Sequence, residues 1–188
     1  FLVAQATMYT WEGRVLDLAI QRRMARLLGI FIAASLYLVA VYHLTNLYYA
    51  KQSAFEAFLL LGRGGHTLYP LLFWVGYVIV GSVLPLVLLL NPRTDGTRHT
   101  LAASLLIVAG AFAFLYVFII GGQAFPLDIF PGHEVRSSFG DGQVASYLPS
   151  LPELLLGIGG LGAAFVLTII GIRAFDFMPQ DAFVAVPK

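Results

Sequence analysis

Four long apolar runs constrain this chain more than any other feature. They cover 24–49, 68–90, 100–120 and 151–173. Each reaches the ~20 residues that a helix needs to cross the hydrocarbon core of a bilayer. In that core every backbone N–H and C=O must find its partner within the segment, and a helix satisfies this alone. The expected fold is an all-α integral membrane protein. Four transmembrane helices, here spans A to D, form a bundle, with a long outer connection between the third and fourth. The composition agrees: 11% of residues are charged, against about 25% in a soluble domain. A net charge of +1 gives no electrostatic case for nucleic acid. With no cysteine, the chain itself supplies no disulfide, thiolate or iron–sulfur chemistry.

The basic residues orient the spans. Arg14, Arg22, Arg23 and Arg26 precede span A, Arg93 and Arg98 lie between B and C, and Arg173 and Lys188 follow D. Only Lys51, Arg63 and Arg136 fall on the other side. The positive-inside bias then places both termini in the cytoplasm of a bacterial or archaeal inner membrane. Residues 1–23 read as the end of a preceding element followed by a basic cytoplasmic or interfacial segment. The transmembrane bundle occupies 24–175 and a cytoplasmic tail 176–188. Phe1 opens without a methionine or a charged leader, so the chain is expected to lack its beginning.

The connection 121–150 is polar and broken by glycine and proline. A segment of that length is usually functional or disordered, and its Phe, Tyr, Ile and Leu content speaks against disorder. It faces the periplasm in this orientation, and its charges Asp128, Glu134, Arg136 and Asp141 are candidates for docking a partner or are simply solvated. The connection 50–67 is apolar (Phe55, Phe58, Leu59, Leu60, Leu61) and is expected to lie along the outer interface.

Span A alone carries a polar stripe, with Ser35, Tyr42, His43, Asn46 and Tyr49 on one broad face. His43 precedes Ala50 by two helical turns, about 10 Å below the outer end. An ionisable group at that depth needs a partner or a cavity. His43 therefore reads as a proton acceptor, a quinone hydrogen-bond partner or a haem ligand, or else as a histidine tied to Asn46 or a neighbouring helix. His66, before span B, is on the same outer side. The two histidines could ligate one b-type haem, though a helix-end role for His66 is the simpler reading. His99 and His133 lie elsewhere, so two bis-histidine haems are excluded within this chain. Ser150-Leu151-Pro152-Glu153 is a capping box with proline in the first turn. Capping accounts for Glu153, and a proton carrier at the outer edge is the alternative. Gly157, Gly159, Gly160 and Gly162 give span D a small-residue face suited to close helix packing.

Several of these residues carry a resemblance. Gly122-Gln123-Ala124-Phe125-Pro126-Leu127, Phe130-Pro131-Gly132, Ser137-Ser138-Phe139 and Tyr147 through Glu153, followed by a glycine-rich helix, resemble the C-terminal half of NrfD/PsrC-type membrane subunits. These form the polysulfide-reductase-like family. The DsrP-like branch, from the DsrMKJOP complex of dissimilatory sulfur metabolism, is the most similar. Trp74-x-Gly76, Pro85 and Phe175–Pro179 also look similar. The resemblance implies a subunit of two four-helix bundles, of which this chain is the second. It implies exchange of electrons and protons between the quinone pool (menaquinone or ubiquinone, bound near or in the first bundle) and a periplasmic iron–sulfur subunit. A multihaem cytochrome c, a haem b membrane subunit and a cytoplasmic catalytic subunit are the further partners implied. Tyr42, His43 and Asn46, with His66 and Glu153 near the outer mouth, are then expected to line a quinone or proton path. A passive membrane anchor and a secondary transporter are the rival functions. A transporter favours broken helices or paired midplane charges, which the spans do not clearly contain.

Overall fold

The computed structural model describes residues 2–11, 18–91, 96–126 and 142–175. All regular structure among them is helical. In chain order the helices are α1 (Leu2–Trp11), α2 (Leu18–Tyr48), α3 (Ser53–Leu61), α4 (Leu68–Leu90), α5 (Thr97–Ala124) and α6 (Leu151–Ala174). Four of them, α2, α4, α5 and α6, are long and apolar enough to cross a membrane. The chain is an all-α integral membrane protein.

Helix α2 begins at Leu18 rather than at the expected Met24. Ala19, Gln21, Arg22, Arg23, Met24 and Ala25 are mostly strong helix formers, and no proline interrupts them. The helix therefore runs on past the apolar stretch, with Arg22, Arg23 and Arg26 exposed on it.

The residues group into two compact units. The first takes 1–31, 84–106 and 149–188, the second 32–83 and 107–148. In the first unit, Ala4 and Met8 of α1 are buried against Ile172 near the end of α6, with Ile20, Phe165 and Ile169 packed around them. Gln21 donates through Nε2 to the Thr97 hydroxyl. The capping box at Ser150 forms as its sequence dictates, and the Ser150 N–H donates to Glu153 Oε2 at 2.6 Å. Nothing described lies within 4 Å of a Cβ built at Gly157, Gly159, Gly160 or Gly162.

In the second unit the chain reverses at Tyr49, whose backbone is extended, through a 3₁₀ turn at Ala50–Gln52 into α3. In the connection expected along the outer interface, the four residues Glu56, Ala57, Phe58 and Leu59 are buried against the rest of the unit. Phe58 and Leu59 of α3 are each only 2% exposed and join Tyr69, Phe73, Tyr77, Val117 and Ala124. The reason is the count of large apolar side chains, whose burial is worth about 1.5–3 kcal/mol each. Gly62 ends α3 in the left-handed conformation (φ 68°). Its N–H donates to the Phe58 carbonyl and that of Arg63 to the Ala57 carbonyl, so two of the last free carbonyls of the helix are satisfied.

Helix α4 is π-helical from Leu72 to Val83 and α-helical again from Leu84. Pro85 stands just beyond the wide stretch. A proline inside a helix removes one backbone bond and crowds the carbonyl four residues back, and the wider turn relieves both. Ser82 Oγ donates to the Tyr77 carbonyl at 3.0 Å, satisfying an acceptor five residues back. Helix α5 has its own π segment at Tyr116–Gly121. The two helices meet at backbone distance: a Cβ on Gly81 would stand 2.5 Å from Gly110 Cα, and one on Gly76 would stand 2.8 Å from Ala113 Cβ. Glycine-mediated close packing is thus found between α4 and α5. After α5, Ala145 N–H donates to the Ala124 carbonyl at 2.9 Å, and Tyr116 Oη–H to the Tyr147 carbonyl at 3.1 Å.

Candidate functional site: a buried histidine–glutamate–asparagine cluster

The reversal at Tyr49 folds α3 back on the C-terminal end of α2 and brings Glu56 to the polar stripe. Glu56 is fully buried, at 0% exposure. Its Oε2 lies 2.7 Å from His43 Nδ1, and Asn46 Nδ2 donates to its Oε1 at 2.7 Å. His43 and Asn46 are three apart on α2 and so present neighbouring side chains. One turn of α3 then supplies a carboxylate that reaches both. A buried carboxylate is tolerated when both oxygens are engaged in this way.

The imidazole is boxed by rings. Tyr42 meets it edge-on at 5.1 Å between centroids and Phe73 at 4.9 Å. From Phe73 the contacts pass to Tyr77, Phe114, Phe118 and back to Tyr42, a closed circuit of six rings that includes His43. Trp74 stands edge-on to Phe73 and donates its indole N–H to the Leu60 carbonyl at 3.0 Å, pinning the end of α3. Inside this box His43 Nε2 is buried and has no hydrogen-bond partner among the described residues. An orphaned polar atom of this kind carries a free-energy cost of about 1–3 kcal/mol unless a water or ligand meets it.

Of the residues expected at a quinone or proton path, Tyr42, His43 and Asn46 come together here. His66 is half-buried and packs its ring on Phe58 at 5.4 Å, on the far end of α3. Glu153 belongs to the other unit, where it serves the capping box of α6. Ser35 and Tyr49 are exposed. Asp128, Glu134, Arg136 and Asp141 lie outside the described residues. Glu56 is the member that the sequence reading missed. The signal was one carboxylate in an otherwise apolar connection, Ala54-Phe55-Glu56-Ala57-Phe58, which has no cheap place to go except to a buried partner.

The cluster leaves one hydrogen-bonding atom for a ligand. His43 offers one unsatisfied ring nitrogen in apolar surroundings, and the adjacent rings supply flat faces. For haem, Nε2 is likewise the only ligating atom His43 has left, because Nδ1 is committed to Glu56. Among the described residues no group of three or more His, Asp or Glu side chains is arranged to hold a metal.

Comparison with known proteins bears on this geometry. A family model described as "Polysulphide reductase, NrfD" matches residues 2–127. That interval contains α1 to α5 and the whole His43 cluster, and it stops short of most of the Gly122–Glu153 stretch on which the sequence likeness was drawn. One curated relative, the "Hdr-like menaquinol oxidoreductase integral membrane subunit" of Archaeoglobus fulgidus, is 35% identical over 112 residues. The match covers 58% of this chain and 28% of that protein, so the chain spans much less than the relative's full length. No solved structure matches the chain.

Proposed function

Because the chain belongs to the NrfD polysulphide reductase family, we propose that it is a membrane subunit of a quinone-linked oxidoreductase complex. In this reading it exchanges electrons and protons between the quinone pool and a periplasmic iron–sulfur partner. The quinone carries the redox chemistry, and the protein binds and orients it and handles its protons. The observation that carries the reading is the His43–Glu56–Asn46 cluster. An ionisable pair buried in a membrane protein is costly and marks substrate or proton routes, and here one imidazole nitrogen is left unspent. The relative named as a menaquinol oxidoreductase subunit supports menaquinone as the quinone.

The orientation read from the arginines sets α3 and the cluster at the periplasmic side, with both ends of this chain cytoplasmic. A complex of the DsrMKJOP type, with a multihaem cytochrome c, a haem b membrane subunit and a cytoplasmic catalytic subunit, is the assembly this proposal favours.

Quinol-linked turnover by the intact complex tests the reading. His43→Leu is expected to lower turnover at least tenfold while the subunits still co-purify. A fully active His43→Leu complex would mean that the cluster is structural and that the chain serves as an anchor.

A further inference from the structure

We propose that Glu56 is a positioning residue that fixes the tautomer of His43, and that the cluster is thereby built to take the hydroxyl-bearing, reduced form of a quinone. This rests on the quinone reading above and deepens it.

The argument follows from counting donors and acceptors. Asn46 reaches Glu56 Oε1 through its amide nitrogen, which can only donate. An ionised carboxylate can only accept. The 2.7 Å contact with Oε2 pairs the two groups without naming the donor; we take Glu56 as ionised, and His43 Nδ1 then carries the proton. In the neutral ring this leaves Nε2 as a bare lone pair. That atom is the orphan of the site, so what it lacks is a donor. A quinone carbonyl cannot supply one, and a hydroquinone O–H can. Of the two rings packed on the imidazole, Phe73 is 4% exposed and Tyr42 is 38% exposed. The hydroxyl donates to Nε2, and if its proton transfers, Nε2 receives it to give an imidazolium beside the Glu56 carboxylate.

Glu56→Gln tests this with little change of shape. The substituted amide can keep its oxygen toward Asn46, which turns its NH2 group toward His43. Nδ1 must then accept, Nε2 carries the proton, and the site now offers a donor, which suits the oxidised form. The measurement is equilibrium binding of menadiol and menadione to the intact complex, each under conditions that hold its redox state. The component of interest is the binding abolished by His43→Leu. In the wild type that component should favour menadiol by roughly tenfold, the worth of one buried hydrogen bond made against one left unmade. Glu56→Gln should reverse the preference. A merely structural glutamate would not invert which redox form binds.

Equal binding of both forms in the wild type, or a preference unchanged in Glu56→Gln, overturns the role of Glu56 and leaves the quinone reading standing. Absence of any His43-dependent binding sinks the quinone reading and this proposal with it. Should Glu56→Gln fail to assemble, nitrogen NMR of the histidine-labelled wild type decides, with the His43 signals assigned by their loss in His43→Leu. A proton on Nδ1 and none on Nε2 is expected; a proton on Nε2 overturns the proposal.

Discussion

A double-mutant cycle on His43 and Glu56 examines the energetics of the cluster directly. Glu56→Leu removes a carboxylate with no exposed surface and strands two hydrogen-bonding partners, His43 Nδ1 and the Asn46 amide. At about 1–3 kcal/mol for each unmade buried bond, softened because polar groups in membrane proteins find substitutes, the loss is about 2–4 kcal/mol. His43→Leu leaves one carboxylate oxygen unpaired while Asn46 still serves the other, costing about 1–3 kcal/mol. The double variant His43→Leu/Glu56→Leu buries neither charge nor donor at this contact and strands only the Asn46 amide. Its cost should fall short of the sum of the single variants by about 2–5 kcal/mol. The assay is reversible unfolding from mild detergent into dodecyl sulfate, followed by near-ultraviolet circular dichroism. Additivity within about 0.5 kcal/mol would refute the coupling and with it the claim that the two side chains act as a unit.

Three further outcomes can be measured in the same system. Gly81→Ala should destabilise by about 1–3 kcal/mol, because its methyl meets the Gly110 backbone, which cannot rotate away; Gly157→Ala, with open space around it, should be neutral or gain up to about 1 kcal/mol. Trp74→Phe should cost about 0.5–1.5 kcal/mol through the lost bond to the Leu60 carbonyl, with faster amide exchange at the end of α3. Ser150→Ala should cost about 1 kcal/mol and fray the first turn of α6, seen as exchange confined to 151–154.

The parts of this structure legible in the sequence are those set by local pattern. Apolar length gave the four spans, and Ser150-x-x-Glu153 gave the start of α6 with its cap. The stripe on α2 gave His43 and Asn46 as neighbours. What stayed hidden depends on where the chain comes back. Glu56 follows Asn46 by ten residues and His43 by thirteen, a spacing that means nothing until the turn at Ala50–Gln52 folds α3 onto α2. The α3 segment itself was ambiguous, because an apolar stretch of nine residues suits a membrane interface and a protein core equally. The π segments were also unreadable: a run of Leu, Val and Ile satisfies four- and five-residue bonding alike, and the choice falls to Pro85 and to glycines meeting across α4 and α5. The glycines of α6 advertise close packing as strongly as those of α4, yet among the described residues the tight glycine contacts of the helices fall at Gly76 and Gly81 of α4 and at Gly110 and Gly121 of α5.

Trp74 has a consequence for observation. The chain holds two tryptophans, Trp11 on α1 and Trp74, whose ring touches Phe73, the neighbour of His43. Replacing Trp11 leaves a single emitter two ring contacts from the cluster. Naphthoquinones quench indole emission at short range, so the quinone binding proposed for this cluster would report itself as a fluorescence signal that needs no added label.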